Sequence, residues 1–141
     1  MAQRSPREVV EAFLANFRTR DVDALMDLYA PEATLTDVGV VLLLGGSETT
    51  LEGRLEINRF FSRLAELSPD TGAVPVLRRS LIADGPLVAV EYEDADTRFC
   101  EVFEVENGLI RAQRTYWGSI PPVDVLEFLL DMQEEEDDNL T

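Results

Sequence analysis

The stretch 20–35, RDVDALMDLYAPEATL, contains the change from helix to strand that decides the fold. Asp21 is typical of a helix N-cap, and Pro31 marks the point where a helix cannot continue. Apolar residues at helical spacing between them predict a second short helix, and they are Val22, Leu25, Met26, Leu28 and Tyr29. The residues 33–37 then predict a short strand.

Two further helices are predicted on either side of this stretch. Ser5, Pro6 and Glu8 form a capping-box pattern, which predicts a first helix over 6–18 and a helix hairpin with the second. A third helix is predicted to start near 51–53, and its apolar residues share one side: Ile57, Phe60, Phe61, Leu64 and Leu67. This amphipathic pattern indicates packing on a sheet.

The segment 38–46 between these helices is unusually apolar for a connection, so we expect another part of the protein to cover it.

The second half of the chain has strand periodicity. Asn107-Gly108, between two apolar runs, is a strong signal for a β-hairpin. The β-rich runs that predict an antiparallel meander are 74–83, 86–92, 97–106 and 109–117. Three helices followed by such a sheet indicate an α+β fold, a cone with an open mouth.

After the sheet, Pro121-Pro122 ends the strand pattern. The apolar residues of 123–132 predict a short C-terminal helix that caps the cone or a neighbouring subunit. Consecutive acids at 134–138 are typical of a solvated tail. We therefore expect a single domain over 1–132 and a flexible acidic tail over 133–141.

Composition excludes several classes of function. The 141 residues carry 12 Lys+Arg against 28 Asp+Glu, for a formal net charge of -16, and 45% of them are hydrophobic. A chain of this size buries a sizeable core, so we expect it to fold. Its negative charge repels phosphate backbones and anionic lipids. We expect no nucleic-acid partner and no membrane partner, but neutral, apolar or cationic ones.

The chain has no histidine, so acid–base chemistry must use carboxylates. Cys100 is the only cysteine, the N-terminus lacks an apolar signal core, and no apolar run reaches the length of a membrane span. These features favour a cytoplasmic protein. Without histidine, Cys100 is interpreted as a small buried hydrophobe. No metal site is expected, since Asp94 and Asp96 lie in a turn without a third ligand.

Three stretches together resemble the nuclear-transport-factor-2-like superfamily, in particular its SnoaL-like and ketosteroid-isomerase-like branch. They are 20–35, Gly53-Arg54, and 106–110 continuing to Tyr116-Trp117. The resemblance spans residues 6–118 and implies a cone-shaped, cystatin-like fold. It does not specify a reaction, because the same fold hosts isomerases, cyclases, hydrolases and binding proteins.

The resemblance implies a site built on two carboxylates. Asp37 matches the position where ketosteroid isomerases keep the carboxylate that shuttles a proton, in an Ala-Thr-Leu-Thr-Asp context. Glu101 lies near the position of their second acid, which stays protonated and donates to the developing oxyanion. Trp117 and Tyr29 match pocket positions.

The sequence also departs from these relatives. Phe13 and Phe61 stand where ketosteroid isomerases have tyrosines, and a phenyl ring cannot donate a hydrogen bond. Compared with limonene epoxide hydrolases, Thr115 stands in place of a catalytic aspartate, and 90–92 lacks their Arg-Val-Asp stretch. We therefore do not expect limonene-epoxide-hydrolase activity.

Strand periodicity places Glu101 on the same face as Phe99 and Phe103. If this face lines a cavity, desolvation should raise the pKa of Glu101 and favour its protonated form. The alternative is a solvated Glu101 at the rim, or one paired with Arg98 or Arg111.

On the last strand, Gln113, Thr115 and Trp117 share one face. By resemblance this face looks into the pocket, although Trp117 is equally consistent with core packing. The opposite face, commonly a dimer surface in the family, is assigned to Ile110, Ala112, Arg114 and Tyr116.

Asp37 has two interpretations. It is either a turn former bonded to nearby amides, or a proton shuttle at the cavity mouth beneath an apolar lid at 40–44.

The sequence thus predicts a cofactor-independent isomerase- or cyclase-type enzyme acting on a hydrophobic, carbonyl-containing small molecule, with Asp37 and Glu101 as catalytic residues. The alternative is a non-catalytic ligand-binding or dimerisation module. A homodimer through the outer sheet face is expected. The predicted substrate-binding residues are Phe13, Tyr29, Phe61, Phe99, Phe103, Gln113, Thr115 and Trp117.

Overall fold

A computed structural model describes residues 3–67, 78–93 and 98–118. In these residues helices pack on a curved, unclosed sheet of six strands, with the order β2-β1-β6-β5-β4-β3. The helices are α1 (Pro6–Thr19), α2 (Val22–Met26), α3 (Gly39–Leu44) and α4 (Arg54–Leu67). The strands are β1 (Tyr29–Thr36), β2 (Thr50–Glu52), β3 (Arg78–Asp84), β4 (Leu87–Glu93), β5 (Arg98–Glu106) and β6 (Leu109–Trp117). The predicted α+β fold is confirmed.

The predicted helix caps are present. The side chain of Ser5 accepts a hydrogen bond from the Glu8 amide at 3.2 Å, and Glu8 Oε1 accepts one from the Ser5 amide at 3.0 Å. Asp21 caps α2 by accepting from the Ala24 amide at 3.0 Å. These local bonds explain why both helices begin at the residues that the sequence indicates.

The predicted start of β1 at residue 33 is wrong, because the strand begins at Tyr29. The Leu28 carbonyl accepts a hydrogen bond from the Ile110 amide at 2.7 Å, so pairing with β6 already begins before residue 33. Pro31 is exposed and lies where the pairing of β1 with β6 shifts register, between Tyr29 and Thr34. Its missing N–H therefore removes no hydrogen bond between the strands. Tyr29 is therefore a strand residue of the core.

The sheet is not antiparallel throughout, since β1 and β6 run parallel. The short strand β2 was not predicted, and it pairs with the end of β1. The apolar segment 38–46, expected as a connection, contains α3, which adds a helix to the three expected before the sheet. Val40 of α3 is buried in the core, so the rest of the protein covers this side of the helix.

The hairpin at Asn107-Gly108 is confirmed, and both residues have positive φ angles of 54° and 75°. A register shift follows it, because Val105 pairs with Ile110 and Glu104 with Ala112. The extra residue on β6 turns Ile110 inward, where it is fully buried. Its assignment to the outer face is therefore wrong.

The core lies between α1, α4 and the inner face of the sheet. None of the helices in the described ranges is long and apolar enough to span a bilayer. The predictions for the C-terminal helix at 123–132, the tail at 133–141 and the turn with Asp94 and Asp96 lie outside the described residues.

Candidate active site

Glu101 lies on the inner face of β5, between Phe99 and Phe103 on the same face. Glu101 is only 9% exposed to solvent, and Phe103 is fully buried. The alternative of a solvated or arginine-paired Glu101 is wrong, because Arg98 pairs with Glu93 and Arg111 with Glu106. The alternation of the strand thus brings a carboxyl group into an apolar interior.

Three polar side chains surround the Glu101 carboxyl group. Gln113 Nε2 donates to Glu101 Oε2, and the hydroxyls of Tyr92 and Thr115 also form hydrogen bonds with this carboxyl. The pKa of Glu101 is raised to about 7: burial is the main cause, hydrogen bonding to Tyr92, Gln113 and Thr115 partly opposes it, and the negative charge of Asp37 adds to the rise. Glu101 therefore titrates near neutral pH, where an acid–base group is most effective.

Sequence reasoning missed Tyr92. It lies on β4, whose Val90 is the direct partner of Glu101 across the strands. Burial and the neighbouring Glu101 raise the pKa of Tyr92, so its hydroxyl keeps its proton. The register between β4 and β5 is the only signal that would have placed it here, and the sequence does not specify that register.

A buried chain of hydrogen bonds continues from Glu101 to β1. The Tyr29 hydroxyl donates a hydrogen bond to Gln113 Oε1, and Gln113 Nε2 in turn donates one to Glu101. Burial raises the pKa of Tyr29, which stays a donor. The backbone carbonyl of Tyr29 accepts a bond from Arg54 Nε at 2.7 Å, which ties the start of α4 to the same residue. Two predicted pocket residues, Tyr29 and Gln113, thus form part of one network with Glu101.

Asp37 directly follows β1 and is partly buried. Its Oδ1 accepts a bond from the Gly39 amide at 2.9 Å, the arrangement of a turn-forming aspartate. The same oxygen accepts a bond from Trp117 Nε1 at 3.1 Å. Asp37 therefore forms the turn and is also held at the end of β6, within electrostatic range of Glu101.

An aromatic row crosses the inner face of the sheet where β4 and β6 end and β5 begins. The rings of Tyr92 and Phe99 are stacked with centroids 4.4 Å apart, and those of Phe99 and Trp117 are 4.7 Å apart. Trp117 is 38% exposed, so it is not a core residue. This row forms an apolar surface next to Asp37 and Glu101, with Trp117 accessible from solvent.

Phe13 and Phe61 are buried in the core rather than on an open surface. Phe13 packs edge-on against Phe103 with centroids 5.0 Å apart, and Tyr29 packs against both Phe13 and Phe61. These contacts fill the interior beside the Glu101 network. Their predicted contact with substrate stays a prediction.

A small, partly open groove lies on the helical side of the protein, between α1, α2 and α4. Its lining includes Phe61 but neither Asp37 nor Glu101. Its other lining residues are Phe17, Arg20, Val22, Leu25, Leu64 and Ala65.

Cys100 points away from the site and is partly buried. Burial raises the pKa of its thiol, as do the nearby Glu91 and Glu101. A thiol with a raised pKa is a poor nucleophile at neutral pH, in agreement with its interpretation as a small hydrophobe.

Known proteins of the same fold are similar to this chain. A SnoaL-like protein of unknown function from Burkholderia thailandensis has 16% identity, a TM-score of 0.67, and an alignment over 84% of this chain and 99% of that one. A proposed polyketide cyclase from Sinorhizobium meliloti has 17% identity and a TM-score of 0.60, over 77% of this chain and 93% of that one. A proposed ketosteroid isomerase from Kribbella flavida has 22% identity and a TM-score of 0.55, over 83% of this chain and 82% of that one. No curated protein matches the sequence.

At these identities the structural likeness establishes the fold alone. The sequence model of the SnoaL-like domain matches residues 10–113, which include β1, α4 and Glu101. The chain belongs to the SnoaL-like family.

Proposed function

We propose that this protein is a cofactor-independent acid–base enzyme of the isomerase or cyclase type, acting on a hydrophobic metabolite that contains a carbonyl group. The observation that carries the proposal is a buried carboxyl, Glu101, whose pKa is raised to about 7 beside a second carboxyl, Asp37. Pairs of carboxyls in such different environments are typical of sites that divide acid and base roles. The names of the Sinorhizobium and Kribbella neighbours support this class of reaction.

In the proposed reaction, the Asp37 carboxylate removes a proton from the carbon next to the carbonyl group of the ligand. The electron pair of the broken C–H bond moves to the carbonyl oxygen, and Glu101, in its protonated form, donates a hydrogen bond to that oxygen. The electron pair then moves back from the oxygen, and Asp37 returns the proton either to the same carbon or, in a ligand with a C=C bond conjugated with the enolate, to the far end of that bond, which leaves the enzyme unchanged. The exposed edge of Trp117 offers an apolar surface for the ligand.

The roles of the two acids fit their positions. Asp37 is partly exposed and held by Trp117, so it can exchange protons with a ligand at the mouth. Glu101 is desolvated, which favours its neutral, donating form. Phe13 and Phe61 cannot donate to an oxyanion, so the proposal assigns that role to Glu101.

The test is deuterium uptake from D₂O at the α-carbon of unactivated apolar ketones, followed by proton NMR. Asp37→Asn and Glu101→Gln should each reduce exchange by at least about a hundredfold, the usual contribution of a general acid or base. Asp84→Asn and Glu91→Gln are matched controls, because both residues are exposed and lie away from the site. Unchanged exchange in both site variants would contradict the proposal.

The second candidate is a non-catalytic module that binds a hydrophobic ligand. The observation that favours it is the packing of Phe13, Phe61 and Phe103 beside Glu101, which fills the interior of the described part of the protein. This candidate predicts ligand binding that Asp37→Asn and Glu101→Gln leave unchanged, with no exchange above that of a buffer blank.

A homodimer through the outer sheet face in a cytoplasmic setting remains part of the proposal. Ile82, Leu87 and Tyr116 are exposed apolar side chains, which supports an interface on this part of the surface. Tyr116→Asp should convert a dimer to a monomer in sedimentation equilibrium. A wild-type protein that sediments as a monomer would contradict the dimer.

A further inference from the structure

Gln113 is hydrogen-bonded to two buried groups, Glu101 and Tyr29. Its Nε2 donates to Glu101 Oε2, and its Oε1 accepts from the Tyr29 hydroxyl. Gln113 is 2% exposed and Tyr29 is fully buried. Water therefore competes little for these bonds, and the orientation of the amide is set by its two protein partners.

The direction of the Tyr29 bond decides which end of the amide faces Glu101. Because Tyr29 keeps its proton, it requires an acceptor, and the amide oxygen provides one. With the oxygen turned to Tyr29, the amide NH₂ group must face Glu101. The reversed orientation would place the amide oxygen against Glu101 and remove a donor from its carboxyl group.

We propose that Tyr29 is a positioning residue for Glu101: by donating to Gln113 Oε1, it holds the amide NH₂ group on Glu101 Oε2, so that the exchangeable proton of Glu101 is carried on Oε1. This inference deepens the proposed function and rests on it for its catalytic meaning, since Oε1 is then the oxygen that donates to the ligand. The arrangement of the three side chains is a property of the free protein.

We expect the other groups that face Glu101 to stay in place when Tyr29 is changed, because none of them is bonded through Gln113. They are the Tyr92 hydroxyl from β4, the Thr115 hydroxyl from β6 and the Asp37 carboxylate after β1. The helices α1 and α4 present the phenyl rings of Phe13 and Phe61 to Tyr29. A change in the titration of Glu101 upon loss of the Tyr29 hydroxyl therefore reports on Gln113.

The test is a carbon-13 NMR titration of the Glu101 carboxyl in Tyr29→Phe, Gln113→Leu and the double variant. Tyr29→Phe should raise the pKa of Glu101 by about one unit, because Gln113 is then no longer held with its NH₂ group on the ionised carboxylate. Gln113→Leu should raise it at least as much, and the double variant should match Gln113→Leu alone, since Tyr29 acts through Gln113. Tyr116→Phe, on the exposed outer face, is the matched control and should leave it unchanged.

An unchanged pKa in Tyr29→Phe, or an equal further rise in the Gln113→Leu background, would overturn the inference. If Tyr29→Phe does not fold, the wild-type protein provides a second measurement. The Tyr29 Cζ resonance and the Gln113 side-chain amide should then shift with the same midpoint as Glu101, and a lack of response in both would overturn it. Neither measurement needs turnover, so their failure is distinguishable from failure of the proposed reaction.

Discussion

Replacement of Glu101 by glutamine should make the free energy of unfolding of this protein much less dependent on pH. Burial raises the pKa of Glu101 from its ordinary value of 4.5 to about 7 in the folded state. Below pH 4.5 both the folded and the unfolded state hold the proton. Between pH 4.5 and pH 7 only the folded state holds it, so the free energy of unfolding falls as the pH rises through this window and levels off above it.

The size of the effect follows from the two pKa values. Each pKa unit of difference corresponds to about 1.4 kcal/mol, so Glu101 should lower the free energy of unfolding by about 3 kcal/mol between pH 4.5 and pH 8. Glutamine carries no charge in this range and contributes no such change.

The assay is urea unfolding of the wild type and Glu101→Gln across this pH range. The difference between the two proteins cancels the titration of the other acids, and Glu91→Gln, exposed on the outer face, serves as the matched control. Above pH 7 the wild type should have lost about 3 kcal/mol relative to Glu101→Gln. A difference between the two proteins that stays constant with pH would refute a raised pKa for Glu101.

Two further predictions concern single contacts. Trp117→Phe removes the donor to Asp37 Oδ1 but keeps a ring next to Phe99, so deuterium uptake by the ketone probe should fall roughly tenfold, and an unchanged rate would mean that Trp117 does not position Asp37. Ser5→Ala breaks the capping box of α1 and should lower the free energy of unfolding by about 1 kcal/mol in urea titrations, whereas no change would mean that the cap is replaced by solvent.

The parts of the fold that the sequence predicts correctly depend on local interactions. The caps at Ser5 and Asp21 and the turn at Asn107-Gly108 each involve residues within a few positions of one another. The start of β1 at Tyr29 and the inward turn of Ile110 depend instead on pairing between distant strands. Propensity carries no information about such pairing, and there the predictions were wrong.

The candidate site also has one part that follows from local sequence and another that depends on pairing between distant strands. The two-residue period of a strand correctly places Glu101 on the inner face between aromatic residues. The contact of Tyr92 with Glu101 depends on the register between β4 and β5, and the chain from Tyr29 through Gln113 depends on the pairing of β1 with β6. A sequence pattern identifies the carboxyl group but not the donors that set its protonation.

The most direct test of the central claim is the carbon-13 titration of the Glu101 carboxyl in the wild type and in Asp37→Asn. A midpoint near 7 is expected in the wild type, because the carboxyl group is buried. The midpoint should be lower in Asp37→Asn, because the negative charge of Asp37 raises the pKa of Glu101. A wild-type midpoint near the ordinary 4.5 would contradict the account, since Glu101 would then be ionised at neutral pH and unable to donate to a ligand oxygen.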